Sequence, residues 1–143
     1  MALKTYTGVQ VLQGYTGNLL TSMADIHDFY SHVAGEPVFT HQIPRIHDEV
    51  KAWLGTLFPE LVEAGSDEML KILSEAMRRQ STDAERRSAI VTWIIAAEKF
   101  CGLKDRYDVP QMGPEEHTSV HPLDEGSLKG RNVIAVGRIK SER

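Results

Sequence analysis

The six residues THQIPR at positions 40–45 put a hydroxyl, an imidazole, a carboxamide and a guanidinium within two turns of one chain segment. Thr40 is of the type that caps exposed amides, and Pro44 fits a first helical turn, where its missing N–H costs nothing. Arg45 is not explained in that way. A cation in a first turn opposes the helix dipole by a few tenths of a kcal/mol or so. A carboxylate one turn on, Asp48 or Glu49, would offset that cost. An anionic ligand would offset it too, because first-turn amides and an arginine fork both point at anions.

The remaining chemistry-bearing residues are scattered. Six histidines occur, at 27, 32, 41, 47, 117 and 121. His27 and His32 are five apart and His41 and His47 six apart, so neither pair shares a helix face as a metal clamp must. His117 and His121 have an allowed spacing, but TSV between them and Pro122 after them read as loop. No HExxH, CxxC or repeated carboxylate loop occurs, and no metal site is assigned. Cys101 sits on an apolar face near a helix end and reads as a small buried hydrophobe. No serine lies in a GxSxG elbow, there is neither a Walker loop nor a dinucleotide fingerprint, and no cofactor is implied. GSLKGR at 126–131 resembles a phosphate cradle, but no helix follows it, and it also reads as a tight turn into a strand. Arg78, Arg79, Arg86 and Arg87 flank the turn QSTD, a corner that phosphates would suit. The overall charge of −4 and the few aromatics argue against nucleic acid as the partner.

These groups need elements to hold them. Thr7 and Gly17 bracket a short helix, with Val9, Leu12 and Tyr15 at helical spacing. Ser22 with Asp25 opens a second helix whose apolar face is Met23, Ile26, Phe29, Tyr30 and Val33, ended by Gly35 and Pro37. A third begins near Pro44 and presents Ile43, Ile46, Val50, Trp53, Leu54, Leu57 and Phe58 before Pro59. SDEMLKILSEAMRRQ is a fourth, with acids in its first turn and arginines in its last, as the dipole favours. The fifth starts at a Thr82 and Glu85 capping box and ends at Gly102. Its run VTWIIAA is apolar nearly all round, which predicts a central position. RYDV and the later VIAVGRI read as two strands that pair. The fold expected is α+β: a bundle of about five helices with a small C-terminal β-hairpin or two-stranded sheet. One domain, 1–143, is expected, its helical part over about 7–102 and its loop and small sheet over about 103–140.

Apolar residues at 41% and charged residues at 25% suit a globular chain. One cysteine excludes an internal disulfide framework, no apolar run approaches a membrane span, and the N-terminus lacks a secretory h-region. A cytoplasmic protein is expected. Charge is uneven: residues 1–77 carry 4 basic and 10 acidic side chains, and residues 78–106 carry 7 and 4. An acidic front half and a basic middle can attract within a chain or between two copies, so a homo-oligomer is also expected.

The order YTGNLL, FTHQIPR, LFPEL and HTSVHPLDEGSLKGRNVIAVG resembles a family of small uncharacterised proteins from tailed phages and prophages. The THQ-x-PR segment is the most specific part, and Ile43 stands where that pattern has leucine. The resemblance implies a phage-encoded accessory protein acting in the host cell cytoplasm, and small acidic phage proteins are often binders that counter host defence. The sharpest form of this expectation is sequestration of an anionic or phosphorylated small molecule by Thr40, His41, Arg45, Lys129, Arg131 and Asn132, without catalysis. One alternative is a protein–protein inhibitor of a host or defence protein, using an acidic face of Asp25, Asp28, Asp48, Glu49, Glu60, Glu63, Asp67 and Glu68. Another is a small hydrolase using His41, His117 and His121 with Glu116 or Asp124.

Overall fold

The computed structural model describes residues 3–120. In chain order these are β1 (Lys4–Thr7), α1 (Gly8–Thr16), α2 (Met23–Ala34), a 3-10 turn (Thr40–Gln42), α3 (Ile43–Leu57), α4 (Glu60–Ala64), α5 (Asp67–Arg78), α6 (Asp83–Cys101) and β2 (Arg106–Val109). The protein is mostly helical with one two-stranded antiparallel sheet, an α+β fold as the sequence indicates. The described residues form six α-helices, because one further turn, α4, follows Pro59.

Among the described residues the sheet joins RYDV to a strand that the sequence pattern does not single out. RYDV forms β2, and its partner is the N-terminal KTYT, with Tyr6 opposite Tyr107 and Lys4 opposite Val109. Both tyrosines are buried, and the alternation of burial along β2, with Tyr107 and Val109 inward, suits that register. Gly8 N–H donates to Asp105 O at 2.8 Å, tying the start of α1 to the turn before β2. A side chain at Gly8 would meet the Lys104 carbonyl at 2.1 Å, so only glycine lets the two backbones approach. The strand expected at VIAVGRI lies outside the described residues.

Helix ends follow the local chemistry. Thr7 and Gln10 make a capping box for α1, and Thr82 and Glu85 make one for α6. Ser22 and Ser66 cap α2 and α5. Gly17, Gly35 and Gly102 terminate α1, α2 and α6 in the left-handed region, with φ of 78°, 72° and 81°.

The core inverts the expected order of importance. The short α1 is central: Val11, Leu12, Gln13, Gly14 and Tyr15 are all buried, and α2 and α3 pack against it. Phe29, Tyr30, Val33, Ile46, Val50 and Leu54 complete that centre. Each large apolar side chain buried here contributes about 1.5–3 kcal/mol. Gly14 admits the Phe29 ring, which a Cβ would meet at 2.3 Å. By contrast α6, expected at the centre, is peripheral. It buries only Trp93 and Ala97 and leaves Val91, Ile95 and Phe100 exposed. Apolar character all round a helix therefore does not mark the interior here, because α5 and α4 reach only part of its circumference. Among the described residues, no helix is long and apolar enough to cross a membrane.

Candidate functional site

The segment leaving α2 sets up the entrance of α3. Ser31 Oγ accepts from Val38 N–H at 3.1 Å, and His27 Nδ1–H donates to Val38 O at 3.1 Å. With Nδ1 protonated, the other nitrogen of His27 accepts from the Thr40 hydroxyl at 3.2 Å. Thr40 is thus bound to α2, and it does not cap α3 as its position suggests. Gln42 supplies the local closure instead, its Oε1 accepting from Phe39 N–H at 3.0 Å. Pro44 lies in the first turn of α3, as expected. His41 stacks on Phe39 with ring centroids 6.3 Å apart.

Residues 113–120 close over this entrance. Gly113 and Glu116 form a turn in which the Glu116 carboxylate accepts from Gly113 N–H at 2.6 Å, and both Glu116 N–H and His117 N–H donate to Gly113 O. Met112 N–H donates to Val33 O at 2.7 Å, fixing the approach of the segment to α2. His117 then projects between two carboxylates: Nδ1 lies 2.7 Å from Glu49 Oε1 and Nε2 lies 2.6 Å from Glu36 Oε2. Ser119 Oγ donates to the second oxygen of Glu36, and Thr118 N–H donates to the second oxygen of Glu49. Arg45 Nη1 donates to Thr118 O at 2.7 Å and to Glu49 at 3.1 Å. Gln42 Nε2 donates to Val120 O at 3.2 Å. Thr118 and Val120 of the C-terminal loop therefore contact Arg45 and Gln42, whereas Lys129, Arg131 and Asn132, on which the ligand reading depends, lie outside the described residues.

The electrostatics of this corner are balanced. Two carboxylates face one arginine and one histidine whose side chain is only 8% exposed. Both ring nitrogens face carboxylate oxygens, and ionised carboxylates only accept, so both nitrogens carry protons and His117 is an imidazolium. Burial pulls its pKa down, but the hydrogen bonds and charges of Glu36 and Glu49 outweigh that and raise it above the ordinary value. The hydrogen bond from His117 holds the Glu36 carboxyl below the ordinary carboxylate value. An imidazolium locked in this way has no lone pair with which to take a proton.

The two shifts give a pH dependence. The His117 contribution is complete below its unfolded value of 6.5 and declines as pH rises through the raised folded value. The Glu36 contribution is complete above its unfolded value of 4.5 and declines as pH falls through the lowered folded value. The stability advantage of the wild-type protein over His117→Gln should therefore be greatest between about pH 4.5 and 6.5 and shrink on the alkaline side. Urea midpoints measured from that range up into alkaline pH check this, and a difference that does not shrink on the alkaline side would contradict it.

A family model described as a domain of unknown function (DUF7736) matches residues 9–64. The match runs from α1 to the end of α4, under half of the chain. No curated protein and no solved structure matches the chain. The matched segment contains Glu36, Thr40, Arg45 and Glu49, whereas His117 and the α5–α6 hairpin lie beyond it.

The other sequence candidates fall as follows. Lys129, Arg131, Asn132, His121, Asp124 and the cradle-like GSLKGR lie outside the described residues. The described histidines act as staples. His32 Nε2–H donates to Val109 O at 2.7 Å, and His47 Nδ1 lies 3.1 Å from the Tyr30 hydroxyl, which itself donates to Gly14 O. Burial lowers the His47 pKa. Among the described residues no group of three or more histidine, cysteine or acidic side chains could hold a metal ion. Glu116, a partner in the hydrolase alternative, is engaged by Gly113. Of the eight carboxylates in the acidic-face alternative, three turn to their own chain: Asp28 to Lys4 and Tyr6, Glu49 to the His117 corner, and Glu60 to the Tyr107 hydroxyl. A cavity of about 400 Å³ lies beside the first turn of α3, lined by Ile43, Pro44 and His47 together with Gly17, Ile26 and Tyr30. The sequence singles out His117 only for the hydrolase alternative and does not single out Glu36, since a contact spanning 81 positions leaves no local pattern. Glu49 was recognisable, being one helical turn from Arg45.

Proposed function

We propose that the protein is a phage-encoded accessory protein that binds without catalysing, holding an anionic or phosphorylated small molecule at the entrance of α3 and so countering a host defence. The observation that carries this reading is the docking of residues 113–120 on that entrance. Through it, the chain that continues to Lys129, Arg131 and Asn132 departs from Val120 at hydrogen-bond distance from Gln42, between Thr40 and Arg45 in sequence. Arg45, paired with Glu49, keeps a guanidinium beside the positive end of α3, which favours an anion, and His41 adds a ring donor. The imidazolium state of His117 supports a binding role over a hydrolytic one, because the most enclosed histidine of the corner is occupied at both nitrogens.

The test is mass spectrometry of small molecules released by denaturing the full chain after purification from bacterial host cells. A nucleotide-like anion should accompany the wild-type protein and be lost from Arg45→Ala. Arg45 also holds Thr118, so Lys129→Ala/Arg131→Ala serves as a second variant that leaves the described corner intact. Protein that emerges empty and captures a host protein instead would overturn the small-molecule reading.

A further inference from the structure

The outward face of α6 is apolar and stands in solvent. Val91 and Ile95 are each 57% exposed, and so is Ile72 on the neighbouring α5. Residues 88–97, SAIVTWIIAA, contain no charged side chain over nearly three turns. On that face Ala84, Ser88, Val91 and Ile95 follow one another at steps of four, three and four, the spacing of a seam between paired helices. A groove of about 600 Å³ runs beside the seam between α5 and α6, lined by Ile72, Ala76, Ala89, Thr92, Trp93 and Ala96. Contiguous exposed apolar surface of this kind marks an interaction site in a folded protein.

Size and charge along the hairpin identify the occupant. The seam is graded, with small Ala84 and Ser88 in its N-terminal half and branched Val91 and Ile95 in its C-terminal half. A parallel neighbour of the same kind would set Ile95 on Ile95 and leave Ala84 facing Ala84 across a gap. A two-fold axis between Ser88 and Val91 instead sets Ile95 on Ala84 of the second copy and Val91 on its Ser88, filling both halves. The charges follow the same axis. Trp93 Nε1–H donates to Met69 O at 2.8 Å, so the N-terminal end of α5 lies beside the C-terminal half of α6. One end of the hairpin therefore carries Arg78, Arg79, Arg86 and Arg87 against Glu75, Asp83 and Glu85, a small positive excess. The opposite end carries Asp67, Glu68 and Glu98 against Lys71 and Lys99. Antiparallel pairing lays the basic end of each copy on the acidic end of the other.

We infer that the α5–α6 hairpin is a self-association surface, on which a second copy of this chain packs antiparallel along the Ala84, Ser88, Val91 and Ile95 seam of α6. The surface is separate from the α3 entrance and is independent of what that entrance binds. Sedimentation of the full chain at roughly 100 µM, above the dissociation constants usual for interfaces of this kind, should give twice the chain mass. Val91→Glu/Ile95→Glu should give the chain mass with an unchanged far-UV circular dichroism spectrum, since both side chains are already more than half exposed. In a Cys101→Ser background, Ala84→Cys/Ile95→Cys should form a covalent dimer on oxidation, and Ile95→Cys alone should not. A wild-type chain of single mass overturns the inference and leaves the face to some other occupant. So does a dimer that survives Val91→Glu/Ile95→Glu, and so does ready cross-linking through Ile95→Cys alone.

Discussion

A His117→Ala protein should lose the closure of residues 113–120 over the entrance of α3, at a cost of about 2–3 kcal/mol near pH 6. The substitution removes the imidazolium that bridges Glu36 and Glu49, leaving two carboxylates near one another with Arg45 on one side. Glu36 remains about one-third exposed and water will partly resolvate it, which keeps the expected cost at the lower end for a broken enclosed pair. The loss should be local in its dynamics. Amides of residues 113–120 should exchange much faster, while those of α1 keep their protection. A cycle with Glu36→Gln provides the pairwise measure, since the two changes should be strongly non-additive if imidazolium and carboxylate act as a unit. Unchanged exchange in 113–120 together with simple additivity would show that the segment is held by something other than this pair.

Gln13→Leu should be at least as damaging, at about 3–4 kcal/mol, although it exchanges one buried side chain for an apolar one of similar size. Gln13 is 1% exposed and organises the whole link from α1 to α2. Its Oε1 accepts from Leu20 N–H at 2.6 Å and Thr21 N–H at 2.7 Å, and its Nε2 donates to the Thr21 hydroxyl at 2.8 Å. Leucine strands both amides, and the one at Leu20 is fully buried. Thr21→Val removes only the hydroxyl partner and should cost about 1 kcal/mol. Chemical denaturation separates the two variants. A Gln13→Leu protein within 1 kcal/mol or so of wild type would mean that the link reorganises freely and that these bonds do not hold it.

Much of this architecture is legible locally. Thr7, Ser22, Ser66 and Thr82 cap the helices that their positions suggest, and Gly17, Gly35 and Gly102 stop them. Capping depends on residues three or four apart, so the chain itself carries the information. What failed depends on the distribution of partners in space. VTWIIAA looks like an interior helix, because periodicity reports where apolar groups lie on a helix and not whether neighbours reach them. GVQVLQGYT looks weak, being nine residues long with two glycines and two glutamines, yet it is the centre. Gly14 is there because Phe29 needs the room, and Gln13 because a loop needs an acceptor. At the candidate site, the Arg45 and Glu49 relation follows from helical spacing, whereas the arrival of His117 between Glu36 and Glu49 does not. Thr40 misled for a related reason, since its hydroxyl found a histidine on α2 before it could serve α3.

The pairing of β1 with β2 also constrains how the molecule comes into being. The strand at residues 4–7 is made before the helices of the described fold, yet its ladder is completed only by residues 106–109. Gly8 at the mouth of the central helix is held by Asp105 as well. Helical turns can form and decay during synthesis, but the loop joining these strands spans about a hundred residues, and closing it must wait for nearly the whole described chain. Until Val109 clears the exit tunnel, the inward face of Tyr6 has no strand to lie beside. The two-stranded sheet therefore closes late, after α1 has already packed against α2 and α3, and its inward tyrosine face is the last part of this core to be covered.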